Sequence, residues 1–403
     1  MKLHETAPMQ QTTVFPLADS MRRLGTESAF VVLARARALE AEGRNIIHLE
    51  IGEPDFDTPE HIKEAGIKSI RSNRTHYSPA AGITELRDAI ARHVQKTRGI
   101  SVTRDNVVVS PGAKMTIACT LMALLNPGDE VVIPDPAYPA YRSIVTYVGA
   151  VPVSVPLRES NQFRLDPAAL EAAITPKTKI LVLNSPHNPT GGILTNEDIF
   201  AIAAIARKHD ILVITDEIYN RHCYDKDFAS YYGLAAMPER TILVDGFSKA
   251  WAMTGWRLGF GVYPKHIADG VAALMLNTVS CTSTFVQDAG IDALEGDDEP
   301  VEAMRAEFRR RRQILVHGLC DIPGVSCQMP GGAFYVFPNV SAIERDDVKL
   351  ANYILEEGNV AVLGGSTFGP NGKGFIRLSY ANSEENLREA LKRMKTVLAK
   401  YRP

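Results

Sequence analysis

Lys249 and Asp216 are the residues with the clearest chemical promise in this chain. Lys249 sits in the segment GFSKAWAMTGWRLGFG (246–261), which follows the apolar run TILVD (241–245). Asp216 ends the run ILVITD, and Tyr219 stands three residues after it. In an α/β sheet the edge where apolar strands end is where ligands bind. A loop lysine is ordinarily solvated and an acid after a strand is ordinarily a cap. Their shared place after apolar runs argues for more. It offers an amine able to bond a carbonyl carbon, a buried carboxylate able to keep a ring nitrogen protonated, and a phenol close by.

Two further segments stand in the same relation to apolar runs. NSPHNPTGG (184–192) follows TKILVL, and SPGAK (110–114) follows NVVV. Read blandly, the first is a Pro/Gly turn. The second places Gly112 before a helical pattern, where free N–H groups and the positive helix end would seat a phosphate. Arg257, eight residues after Lys249, adds a cation. A phosphate seat, an amide, a buried acid and an activatable lysine together describe a site for a phosphorylated ring that needs a protonated nitrogen. Pyridoxal phosphate is such a group.

These segments, in this order from LEIGEPDF to FIRLSYAN, resemble the class I/II aminotransferases of the fold-type I pyridoxal-phosphate superfamily. The similarity is greatest to the bacterial aspartate and aromatic aminotransferase branch, and it covers essentially the whole chain. The resemblance implies that Lys249 bonds the cofactor and then shuttles a proton, that Asp216 pairs with the ring nitrogen, and that Tyr219 and Asn188 bond the ring oxygen. It implies a phosphate held by Gly112, Ala113 and Lys114, clamped by Arg257, with Ser248 as an extra donor. Gly246 stands where many relatives have a serine donor. Tyr138, in DPAYPAY, would stack on the ring. Arg377, in GFIRLSYA, would bind the substrate α-carboxylate through its planar fork, with Gly52 adding a backbone contact. Tyr77 would reach the phosphate of a neighbouring subunit, which implies a homodimer.

The implied reaction moves an amino group from an L-amino acid, acidic or of broad range, to a 2-oxo acid by a ping-pong route. Lys114 occupies a position used by some aspartate-specific relatives for a distal carboxylate. Thr278–Gln287 aligns with a pocket loop, and His222 and Cys223 either line the pocket or simply pack. Two alternatives remain at this level: a β-lyase acting on cysteine conjugates with the same cofactor, and a catalytically inactive regulatory relative.

The elements that must position these residues alternate. Short β-branched runs (106–110, 130–134, 178–184, 210–215, 241–245) are separated by helical patterns at 113–125, 166–174 and 196–209. Runs this apolar read as strands covered on both faces, hence an α/β fold. The resemblance implies a mostly parallel, seven-stranded-type sheet covered by helices, plus a smaller α+β domain built from both chain ends. The expected division is an N-terminal arm and part of the small domain (1–60), a large cofactor-binding domain (61–295) and a C-terminal small domain (296–403). Arg309 to Arg312 lie on a long helical pattern and read as a solvated surface.

Composition bounds the rest. The chain has 403 residues, a formal charge of −3, 45% hydrophobic and 23% charged residues, the balance of an ordinary globular protein rather than a disordered or nucleic-acid-binding one. The five cysteines are scattered and form no C-x-x-C pair, which suits reduced thiols in the cytoplasm and no metal site. The first 25 residues contain no apolar run of a secretory signal. The uncharged stretch Gly270–Gln287 carries too many Asn, Ser and Thr residues to enter a membrane.

Overall fold

The computed structural model describes residues 15–25 and 28–402; the beginning of the expected N-terminal arm, residues 1–14, lies outside them. Among the described residues twelve strands run in chain order: β1 (Ile47–His48), β2 (Val107–Ser110), β3 (Glu130–Asp135), β4 (Val151–Pro156), β5 (Thr178–Asn184), β6 (Leu212–Asp216), β7 (Thr241–Gly246), β8 (Gly259–Val262), β9 (Tyr335–Val336), β10 (Val360–Ala361), β11 (Leu363–Gly364) and β12 (Ile376–Ser379). Seven of them form one sheet in the order β2-β8-β7-β6-β5-β3-β4. All neighbours pair in parallel except β8, which is antiparallel to both β2 and β7. The α/β reading with a mostly parallel seven-stranded sheet therefore holds.

The two-residue period of the strands explains why their sequences are apolar throughout. In β5, Ile180 and Val182 face one buried cluster while Leu181 and Leu183 face another. The helix Ala113–Leu124 contributes Ile117, Cys119 and Leu121 to the first cluster; the helix Asn196–Lys208 contributes Ile199, Ile202 and Ala206 to the second. Each large apolar side chain so buried stabilises the fold by about 1.5–3 kcal/mol against exposure. The helix Asn196–Lys208 begins with a capping box, Thr195 with Asp198, and the helix Pro167–Ala173 begins on an Asp166 cap that accepts from the Ala168 N–H.

The C-terminal part builds a different core. Here β11, β12 and β9 form an antiparallel sheet, and the helices Glu299–Cys320, Asp347–Gly358 and Glu384–Leu398 pack around it. The chain's early segment joins this part: β1 pairs in parallel with β10, and Ile47 and Leu49 are buried with Leu315, Leu350 and Leu378.

One surface reading is corrected. Arg309 and Arg310 are exposed, but Arg311 and Arg312 are buried. Arg312 bonds the Pro330 carbonyl at 2.7 Å, pairs with Asp225 at 2.8 Å, and lies 4.8 Å from the centre of the Tyr224 ring. A basic run on a helix becomes part of the interior where another segment brings the counter-charge.

Candidate active site

Strand ends place the site. The carboxyl ends of β2, β5, β6 and β7 lie along one edge of the sheet and lead directly to Gly112, Asn188, Asp216 and Lys249. Arg257 was the residue that did not follow an apolar strand. It precedes β8, whose reversed direction brings its first residue, Gly259, opposite both Ser110 and Gly246. Asn188, Asp216, Lys249 and Arg257 border one cleft of about 460 Å³, joined there by Ala113 and Lys114, which follow Gly112.

Backbone approach is tight at the phosphate seat. Gly112 has a φ of +88°, and a Cβ there would lie 2.4 Å from Arg257 Nη2. A Cβ on Gly259 would lie 2.4 Å from the Ala113 nitrogen, and one on Gly246 3.0 Å from the Gly259 Cα. A serine at 246 would therefore need the neighbouring Gly259 backbone to give by a few tenths of an ångström. The Gly112 N–H is directed to the Ser110 carbonyl at 2.7 Å. The N–H groups of Ala113 and Lys114 therefore head the helix, and Ser248 and Arg257 stand beside them on the cleft wall.

At the floor, Asp216 is buried and accepts hydrogen bonds from the Tyr141 hydroxyl at 2.6 Å and the Ile218 N–H at 3.1 Å. Both donors are neutral, and burial raises its carboxyl to about 6 despite them. A buried acid with neutral donors has the electrostatics of a seat for a protonated nitrogen. Lys249 directs Nζ to the Gly52 carbonyl at 2.6 Å. Removal from water lowers its ammonium to about 8, and the Arg377, Arg257 and Lys114 charges act in the same direction. It is thereby a readily deprotonated amine.

The remaining expected residues converge as well. Tyr219 shares a hydrogen bond of 2.7 Å with Tyr335. Asn188 accepts from Arg377 Nη1 at 3.2 Å, and its own N–H donates to Asn184 Oδ1 at 2.8 Å. Tyr138 lies edge-to-face on Tyr141 at 5.5 Å, with Lys114 Nζ 5.8 Å from its ring centre. Arg377 is buried, with Nη2 donating to the Glu50 carbonyl. Tyr77 alone stands apart: it is 91% exposed and does not border the cleft.

Several groups escaped the sequence reading. Tyr141 bonds Asp216 across 75 residues of chain, Asn184 fixes both the Asp216 carbonyl and the Asn188 backbone, and Tyr335 partners Tyr219. Tyr141 and Asn184 lie in segments whose motifs are visible (DPAYPAY, NSPHNPTGG) and Tyr335 lies in the segment GGAFYVFP, but their contacts are tertiary. Of the two options for His222 and Cys223, packing holds: both are buried, and His222 lies against the Phe308 and Phe334 rings. Cys281, Thr282, Ser283, Phe285 and Val286 border a separate open groove beside Arg257 rather than the cleft itself.

Known proteins are similar to this chain in sequence and fold. The model of the family "Aminotransferase class I and II" matches residues 44–394. An aspartate aminotransferase of Musicola paradisiaca is 39% identical over 96% of this chain and 97% of its own. An aromatic-amino-acid aminotransferase of Thermococcus litoralis is 41% identical over 88% of this chain and 92% of its own. The solved structure of the Thermus thermophilus aspartate aminotransferase with maleate superposes with a TM-score of 0.92 at 39% identity, covering 95% of this chain and all of that one. The protein belongs to the class I and II aminotransferases, the pyridoxal-phosphate-dependent enzymes that transfer amino groups between amino acids and 2-oxo acids.

Proposed function

We propose that the amino donor is an acidic L-amino acid and that the site residues take the roles their positions suggest. The observation that carries the substrate reading is the charge of the cleft. Lys114, Lys249, Arg257 and Arg377 border it against Asp216 and Glu53. This excess of cations suits a cofactor phosphate together with a substrate bearing two carboxylates. The relative solved with maleate, a dicarboxylate, supports it.

Pyridoxal phosphate supplies an electrophilic carbon and a conjugated ring that accepts the electrons left when the donor's Cα–H bond breaks. The residues present fit that group: Ala113 and Lys114 N–H with Arg257 for its phosphate, Asp216 for its ring nitrogen, Asn188 and Tyr219 for its ring oxygen, Tyr138 beside its ring. The Gly112 N–H is spent on Ser110, so this glycine serves by its shape. Asp216, left without water, holds the nitrogen proton in place. Lys249 Nζ, neutral above about 8, takes the Cα proton and returns it one carbon away. Arg377 fixes the α-carboxylate by a paired contact and so orients the Cα–H bond. Lys114, which borders the same cleft, meets the distal carboxylate. The donor leaves as a 2-oxo acid before the acceptor enters, so double-reciprocal plots are parallel.

The same reading extends to assembly. Tyr77, exposed and away from its own cleft, suits a homodimer in which it completes the partner's phosphate seat. Five free cysteines suit the cytoplasm. No helix among the described residues is long and apolar enough to cross a membrane. The pairing of β1 with β10 supports a small unit drawn from residues 1–60 and 296–403 around a large unit of 61–295.

The test is a spectral screen of the half-reaction with each of the twenty amino acids. Aspartate and glutamate should react with the highest kcat/KM, and Lys114→Ala should lower their values by about ten-fold or more while sparing alanine. A parent enzyme that prefers a neutral or aromatic donor overturns the acidic reading. Release of pyruvate and ammonia from a cysteine conjugate at a comparable rate would favour the lyase chemistry instead.

A further inference from the structure

Arg377 is gripped on several sides. Its Nη2 donates to the Glu50 carbonyl, its Nη1 to Asn188, and its guanidinium lies 4.5 Å and 4.9 Å from the ring centres of Tyr335 and Phe368. Glu50 is the residue of interest. Its side chain is completely buried, a costly place for a carboxylate unless a cation answers it. Its Oε1 meets His48 Nδ1 at 2.8 Å, while Oε2 has no hydrogen-bond partner among the described residues. His48 Nε2 in turn meets Glu40 Oε1 at 3.0 Å. Glu40 belongs to the helix Ser28–Ala41, whose first turn, with Ala29 and Phe30, borders the cleft.

The backbone between these residues is stitched on both sides. Leu49 donates to the Ala361 carbonyl at 3.0 Å and accepts from the Ser379 N–H at 2.8 Å, two residues past Arg377. Gly52, further along the same extended stretch, accepts from Lys249 Nζ. A charge pair on residues 48 and 50 therefore fixes the strip of main chain that holds the arginine. His48 lies between two carboxylates, which lift its imidazolium to about 9 and keep it charged at neutral pH.

We propose that Glu50 and His48 are positioning residues for substrate binding: their charge pair locks the Glu50 carbonyl against Arg377. This rests on Arg377 being the anchor of the substrate α-carboxylate. Neither residue touches the reacting atoms. Their effect reaches carboxylate affinity through Arg377 and leaves proton transfer by Lys249 in place.

The experiment compares Glu50→Gln, His48→Gln and Arg377→Lys with the parent holoenzyme. Its readouts are maleate Kd by absorbance titration, cofactor content, and KM and kcat for aspartate and 2-oxoglutarate. Glu50→Gln should raise the maleate Kd and both KM values by about ten-fold, His48→Gln by about three-fold, with kcat within about two-fold and cofactor content unchanged. A merely structural pair would lower thermal stability and leave the KM-to-kcat balance alone. If both glutamine variants bind maleate as the parent does while Arg377→Lys binds it weakly, the positioning role is overturned and the Arg377 assignment stands. If Arg377→Lys also binds maleate as the parent does, the anchor assignment itself falls. Should Glu50→Gln fail to fold, His48→Gln decides, because the His48 side chain is 29% exposed and tolerates exchange.

Discussion

Asp216 is held in a balance that one hydroxyl decides. Burial lifts its carboxyl to about 6, and the Tyr141 hydroxyl at 2.6 Å works against that lift by favouring the ionised form. Tyr141→Phe removes the donor without changing the ring, so the carboxyl should rise further. Only the ionised carboxylate attracts a protonated ring nitrogen. The acid limb of cofactor binding by the apoenzyme should therefore move up by about one pH unit, as loss of a hydrogen bond to a charged group implies. Fluorescence titrations between pH 5 and pH 8 measure it, and an unmoved limb would show that Tyr141 does not tune this acid. The sign also has a stability consequence. A carboxyl raised in the fold above its unfolded value disfavours the fold once ionised, a cost absent below the unfolded value near 4 and complete above about 6. The cofactor's nitrogen offsets that cost, so the Tm gain from cofactor should widen as pH rises from 5 to 7. Tyr141 was not legible from sequence as Asp216's partner, since nothing in DPAYPAY names an acid 75 residues away.

One element junction sits directly behind the reacting groups. Arg98, last in the helix Thr84–Arg98, reaches Glu217 at 3.2 Å and Asp245 at 2.9 Å, all three nearly free of water. Glu217 follows Asp216 in the chain, and Asp245 leads through Gly246 to Lys249. Asn220 and Ser230 complete the hydrogen bonding of both acids. Arg98→Met leaves two buried carboxylates without their cation, which should cost about 3–5 kcal/mol. Burial already raises Asp245 to about 7, so the variant's deficit should shrink as pH falls and that acid takes a proton. Thermal melts at pH 5.5 and pH 8 check this, and an equal Tm loss at both would exclude the charge explanation. At this scale the sequence was informative where order is local. The β-branched runs mark β5 to the residue and the other predicted strands to within two. It failed where burial depends on a distant partner, as when Asp225 draws Arg312 out of a run that reads as surface.

At the scale of the molecule, one chain lines the cleft, and Tyr77 lies outside it. Chain-wide motif order made the α/β fold and most of the site readable, because strand ends in such a sheet converge on one edge. It could not show the charge pair behind Arg377, whose members matter only once β1 has paired with β10. Tyr77 raises a different matter: 91% of it faces solvent, whereas the resemblance read from the sequence implies a tyrosine here that reaches the phosphate of a neighbouring subunit. A large aromatic at the surface, outside its own cleft, is what the proposed homodimer would cover with a second copy of the chain. Complementation tests this directly. Tyr77→Ala and Lys249→Ala should each be impaired as homodimers, the second almost completely. In a hybrid, one site receives Lys249 from the first chain and Tyr77 from the second, while the other receives neither. Unfolding and refolding an equal mixture gives hybrids as half of all dimers, each with one intact site, so about a quarter of the parent activity should be contributed by the hybrids. If the mixture shows only the average of the two homodimers, Tyr77 does not cross between subunits. Recovery above that average, reached only after subunits have been allowed to exchange, places the phosphate seat at the junction of two chains.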